Sequence, residues 1–168
     1  MKRGAGILAV LALAAAGCAS SDEDLHRELR AERLETMAIV TRAELNREPP
    51  GSPARAVLRL WRSVQFRNPE DALAHVSPQP SRKELRGFED FIVATGADAA
   101  STIKPQILDV QQSESRARVR VEFIRHKKVG DQVRSLPTGQ LTVELVRGRT
   151  GWLVLWRKAA DQLPAAIT

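Results

Sequence analysis

Two hydrophobic periods divide the chain. Between residues 52 and 96 apolar side chains recur every three or four positions, as on one face of a helix. From residue 104 they alternate with polar ones, the period of a strand exposed on one face. In "SPARAVLRLWRSVQF", Ser52 is placed to cap a helix, and Pro53 suits its first position because the missing N–H has no helical partner there. Val57, Leu60, Trp61 and Val64 form its apolar stripe. "NPEDALAHVSP" repeats the pattern with Asn68 and Pro69 and predicts a short helix ending before Pro78. "SRKELRGFEDFIVATG" carries a capping box, Ser81 with Glu84, and an apolar face of Leu85, Phe88 and Ile92, and Gly96 is expected to end it.

Four strands are predicted to follow. "KPQILDVQQ" is turned by "SES" into "RARVRVEFIRH", where Ala117, Val119, Val121 and Phe123 face inward and Arg116, Arg118, Arg120 and Glu122 outward. "KKVGDQVRSLPTG" reads as a loop longer than a tight hairpin. "QLTVELVRG" alternates again, and "GRTG" turns into "WLVLWRK", whose unbroken apolar run fits a strand buried on both faces. "DQLPAAIT" reads as a tail. Helices on one face of a curved antiparallel sheet of about four strands make an α+β domain. The expected core is Val57, Trp61, Val64, Phe88, Ile92, Val119, Val121, Val143, Trp152 and Trp156.

The amino terminus is built differently. Lys2 and Arg3 precede an apolar run from Ile7 to Ala16, ten residues against the roughly 20 that a spanning helix needs. A basic start, a short apolar core and small residues before a boundary describe a secretory signal peptide. "AAGC", Ala15 to Cys18, resembles the lipobox of bacterial lipoproteins, although leucine is the usual residue where Ala15 stands. That resemblance implies cleavage between Gly17 and Cys18, a diacylglyceryl group on the Cys18 thiol, and acylation of the new amino terminus with a chain such as palmitate. Cys18 is the only cysteine. Ala19, where family members retained in the inner membrane carry aspartate, implies the periplasmic face of the outer membrane.

Charge sharpens this picture. Loss of Lys2 and Arg3 takes the net charge from +6 to +4, since 6 − 2 = 4. Residues 18–49 hold five Arg against eight acids, net −3, and residues 50–168 hold nineteen basic residues against twelve acids, net +7. The acidic part reads as a linker, a helical spacer or a helix docked on its own domain, broken by "EPPGSP". The organisation expected is thus 1–17 signal peptide, 18–52 lipidated cysteine and linker, 53–160 domain and 161–168 tail. An exported, Tyr-free chain meets anionic lipid, cell-wall polymer or envelope protein rather than nucleic acid. "RHKKVGDQVR" offers Arg125, Lys127, Lys128 and Arg134 for such a contact, or is simply a solvated loop.

The order of elements, the "DVQQSESRARVRVEF" strand pair and the closing "GRTGWLVLW" hairpin are similar to the NTF2-like superfamily, in particular to exported lipoproteins with an NTF2-like or lumazine-binding-like domain, over residues 54 to 158. The resemblance implies a curved sheet folded over helices into a cone, often with an apolar pocket. In the enzymes of that superfamily a pocket carboxylate moves a proton beside a carbonyl. Glu89, near the apolar face of the third helix, and Asp109, inside "ILDV", are the candidates here; the alternative places both at the surface. His26, His75 and His126 are scattered without metal-ligand spacing, so neither a metal nor a cofactor is expected. Trp61, Trp152 and Trp156 line a pocket or fill a core. The first expectation is a non-catalytic binding or structural module of the cell envelope. The alternatives are a component of an envelope or secretion assembly, and a small-molecule isomerase or dehydratase.

Overall fold

The structure, a computed structural model, describes residues 38–99, 102–130 and 132–167, apart from the side chains at 98, 99, 128 and 165. The signal peptide, Gly17, Cys18 and the first part of the linker lie outside the described residues.

Helix starts follow the caps. α1 (Arg42–Arg47) opens on a reciprocal box between Thr41 and Glu44. In α2 (Pro53–Gln65) the Ser52 hydroxyl accepts from the Arg55 N–H, and in α3 (Pro69–Leu73) Asn68 accepts from Asp71. Half of the Ser81–Glu84 box forms ahead of α4 (Leu85–Ala99): the Glu84 carboxylate accepts from the Ser81 N–H and hydroxyl, while the Glu84 N–H goes to the Ser81 carbonyl instead of the hydroxyl. Gly96 does not end α4. A Cβ there would stand 2.3 Å from the Val64 carbonyl oxygen, so this glycine lets α4 cross α2 at close range.

The sheet runs β1 (Val76–Ser77), β2 (Ile103–Gln112), β3 (Arg116–Val129), β4 (Gln132–Arg147) and β5 (Trp152–Leu155), in the spatial order β1-β5-β4-β3-β2. Among the described residues five strands replace the expected four. The added one, β1, pairs parallel with β5, so the sheet is mixed. The α+β class stands.

Two further expectations are corrected. "KKVGDQVRSLPTG" is not a long loop: β3 and β4 stay paired out to Val129 and Gln132, and the turn narrows to Gly130 at φ +60° and residue 131. A register shift beside Phe123 and Ile124 interrupts the alternation in the middle of this pair, which hid its continuation. The carboxyl terminus is not a tail either. β5 stops at Leu155, and α5 (Trp156–Ile167) carries the chain to its last described residue. Trp156, Ala159, Ala160, Leu163 and Ala166 recur at helical spacing and turn toward the sheet.

The core lies between helices and sheet. Of the expected residues only Trp156 is half-buried; its indole meets Phe88 edge-on at 5.1 Å. The described end of the linker is docked on the domain. Ala38 and Val40 are fully buried, and Gln65, itself buried in α2, receives the Val40 N–H and donates to the Ala38 and Ile103 carbonyls.

Candidate functional site

The helix–sheet interior is the first place to look for chemistry. It holds a cavity of about 60 Å³, walled by Val57, Trp61, Phe88, Phe123, Trp156, Leu163 and other apolar side chains. Small-molecule sites usually offer ~300–1,000 Å³ with a few convergent polar groups. No ionisable side chain lines this one. Both indole N–H groups on its wall are engaged, Trp61 with the Ile103 carbonyl and Trp156 with that of Pro78. Trp61 stacks at a tilt on Phe123, 4.9 Å away. Trp61 and Trp156 therefore serve packing, and Trp152, buried on β5, lies outside this cavity and borders the polar cleft at the start of α2.

Helix α5 forms part of the wall of this interior. Ala159, Ala160 and Leu163 face the cavity, and the end of the helix lies against β4 at Gly139. A Cβ on residue 139 would come 2.8 Å from the Ala166 carbonyl oxygen, so only glycine admits the helix so close. The orphan carbonyls of the last turn find donors: Thr138 Oγ1 reaches the Ala166 oxygen at 3.0 Å and an Arg125 Nη reaches that of Ile167. A cation at a helix carboxyl end also complements the dipole.

Neither candidate carboxylate reaches the cavity. Glu89 is half-buried on α4 and is not among the residues that wall it. Asp109 is exposed on β2 and accepts from Gln111 Nε2 at 3.1 Å. The pairing slips between Ile107, opposite Val121, and Asp109, opposite Arg120. One extra residue, Leu108, reverses the parity of the strand and places Asp109 on the arginine-bearing outer face. Of the two readings of "ILDV", Asp109 takes the one at the surface.

The histidines also lie apart. His75 lies beside a polar cleft at the start of α2, with Arg55 and Arg59. Burial, helped by Arg59, pushes its pKa down, and Asp71, 3.9 Å away, opposes this. The two Arg55 Nη groups are committed to the Glu48 carbonyl and Asn46 Oδ1, which ties α1 to α2. His126 is buried with Nδ1 3.0 Å from Ser135 Oγ, and burial and then Lys104 lower its pKa. Among the described residues no group of His, Cys, Asp and Glu is arranged for a metal ion. No helix among them is long and apolar enough to cross a membrane.

The basic segment is a ribbon, and this is the feature the alternation pattern missed. β2 begins at Ile103, opposite Arg125, and the Thr102 carbonyl still accepts from the His126 N–H; beyond that level, among the described residues, β3 and β4 pair with each other. Of the four basic residues expected to act together, Arg125 is half-buried at the base and held by α5. Lys127 and Arg134 are exposed and stand directly opposite one another. Lys128 pairs with Val133 in the backbone register.

No protein-family profile matches the chain, and no curated protein is detectably similar to it. Solved structures of similar chain path include a Campylobacter jejuni protein described as an NTF2-like transpeptidase (17% identity, 62% of this chain and 98% of that one, TM-score 0.43). A Thiobacillus denitrificans protein described as a calcium/calmodulin-dependent protein kinase type II association domain covers 64% and 94% at 15% identity and TM-score 0.48. A Mycobacterium tuberculosis protein of unknown function covers 82% and 73% at 10% identity and TM-score 0.42. These are similarities of chain path at low identity, and none supplies a residue role or an activity to this chain.

Proposed function

We propose that the chain is an exported bacterial lipoprotein, anchored through Cys18 at the periplasmic face of the outer membrane, whose NTF2-like domain is a non-catalytic binding or structural module. The observation that carries the non-catalytic part is the interior: a small apolar cavity, walled in part by α5, with Glu89 and Asp109 elsewhere. A general base has to lie within hydrogen-bond reach of the proton it removes. Glu89 does not wall the interior cavity, and Asp109 borders only an open polar depression on the outer face of the sheet, with Gln111, Arg118, Arg120 and Thr142. The anchor rests on "AAGC" and the sole cysteine. Partners then meet the outer surface of the domain, where anionic lipid, cell-wall polymer or an envelope protein supplies the counter-charge. Membership of an envelope or secretion assembly is a second reading, supported by β2. It is an edge strand, and it exposes Leu108 and Val110.

Intact mass of the protein from its native membrane, beside a Cys18→Ser control, tests the anchor. The expected mass is that of residues 18–168 plus acyl chains, absent from the control. An unmodified mature chain or an uncleaved one sinks the lipoprotein reading.

A further inference from the structure

We infer that the β3–β4 ribbon is a docking face for an anionic phospholipid bilayer, so that the domain lies down on the membrane that carries it. This rests on the anchored reading above for its setting, but its geometry stands separately.

Cross-strand partners project to the same side of a ribbon, and period two adds their neighbours two residues away. One face therefore carries Arg125 with Leu136, Lys127 with Arg134, and Val129 with Gln132. Two cations opposite each other repel across a sheet. None of these six residues is acidic, and the segment 125–137 holds four basic residues against Asp131 alone, net +3. Leu136 and Val129, 50% and 43% exposed, flank the cation pair. Aliphatic side chains on either side of paired cations match a bilayer surface, where phosphates meet the cations and acyl chains receive the aliphatics. A soluble acidic polymer would leave Leu136 and Val129 in water.

The position of the chain end agrees. Gln65 holds both Ala38 and Ile103, and Ile103 pairs with Arg125. The chain thus enters the domain from its amino-terminal side at the base of the ribbon. Residues 18–37 number twenty, so the reach from lipid to ribbon is at most about 70 Å. Anchor and ribbon can engage one bilayer.

The test places a reporter on the ribbon. Once Cys18 is acylated, Leu136→Cys is the only thiol in the full-length protein and takes an environment-sensitive fluorophore. The protein is reconstituted into vesicles of phosphatidylcholine alone or mixed with phosphatidylglycerol. The expected result is a blue shift only with phosphatidylglycerol, reversed by high salt. In a Lys127→Gln/Arg134→Gln background the ratio of engaged to free ribbon should fall about 30-fold, two basic residues being lost near the surface. Arg118→Gln/Arg120→Gln, which removes the same charge from the outer sheet face, should leave the shift intact. A reporter at Gln111, on the other end of β2, should not shift. An equal shift in both vesicle types, no shift at residue 136, or equal loss in the Arg118/Arg120 control overturns the inference. The last two outcomes would favour a protein partner or the acidic linker as the occupant. The mass of the same sample reports the anchor independently, so failure of the anchor and failure of the ribbon are distinguishable.

Discussion

Replacing Gly139 by valine tests whether α5 is a closure or an appendage. The new Cβ would stand 2.8 Å from the Ala166 carbonyl oxygen and 3.0 Å from its Cα. Both are backbone atoms and cannot rotate aside, so the end of α5 has to lift. That movement exposes Leu163, whose burial contributes about 1.5–3 kcal/mol. It also breaks the Thr138 bond to Ala166, worth about 1 kcal/mol. A loss of about 2–4 kcal/mol follows, a large share of the ~5–15 kcal/mol that holds a domain folded. Urea unfolding followed by far-UV circular dichroism reads it. The midpoint should fall, and the slope should fall too, because a helix already detached adds less surface on unfolding. Amide exchange in α5 should accelerate ahead of exchange in β3. Gly87→Ala is the contrasting change: nothing lies within 4 Å of its added Cβ, and a better helix former in α4 should gain up to about 1 kcal/mol. A Gly139→Val protein with wild-type midpoint and slope would refute the closure.

Gln65→Leu should cost about 2–4 kcal/mol, because the buried Val40 N–H and Ala38 carbonyl lose their partner; unchanged unfolding and unchanged proteolysis near Val40 would contradict the clamp. Glu84 accepts from Ser81 and from Arg157, which lowers its pKa from 4.5 to about 2. The stabilisation is therefore full above pH 4.5 and lost as pH falls toward 2, and Glu84→Gln should flatten that part of the acid limb in pH-dependent melts. His75 and His126, both disfavoured as cations by burial, should titrate below 6.5 by NMR, and any stability they contribute is present above that pH and lost below it. A midpoint above 6.5 at either would show that it is more exposed than its packing implies.

Local chemistry was legible where it acts locally. Ser52, Asn68 and Ser81 announce their helix starts because a cap needs one side chain and one N–H a few residues away. The alternation of Ala117, Val119, Val121 and Phe123 announces β3 because one face of a sheet is enough to set it. What escaped depends on partners far along the chain. β1 is two residues long and has no period to read; it forms because Val154 donates to the His75 carbonyl and Val76 lines up with Val154. The ribbon was hidden by Gly130, Pro137 and Gly139, which look like loop residues, yet one sits in the turn, one beside the bulge and one under α5. Pro164 and the preceding strand-like "WLVLW" concealed the start and end of α5. Strict alternation from Ile107 would turn Asp109 inward, and one bulged residue turns it out.

These misses share a consequence for function. With α5 read as a tail, the interior is an open cone that Glu89 or Asp109 can serve; with α5 docked, it is a core. Opening it by lifting α5 costs about 2–4 kcal/mol, which leaves the open form about 30- to 1,000-fold less populated than the closed one. A ligand bound inside would have to offset that cost through apolar contacts alone, since the walls offer it no ionisable group. Gly139→Val removes most of the penalty in advance. An apolar dye that ignores the wild-type protein and binds this variant would show that the cavity is receptive but closed. A dye that binds both equally would mean that α5 is no barrier, and the interior would again be a candidate binding site.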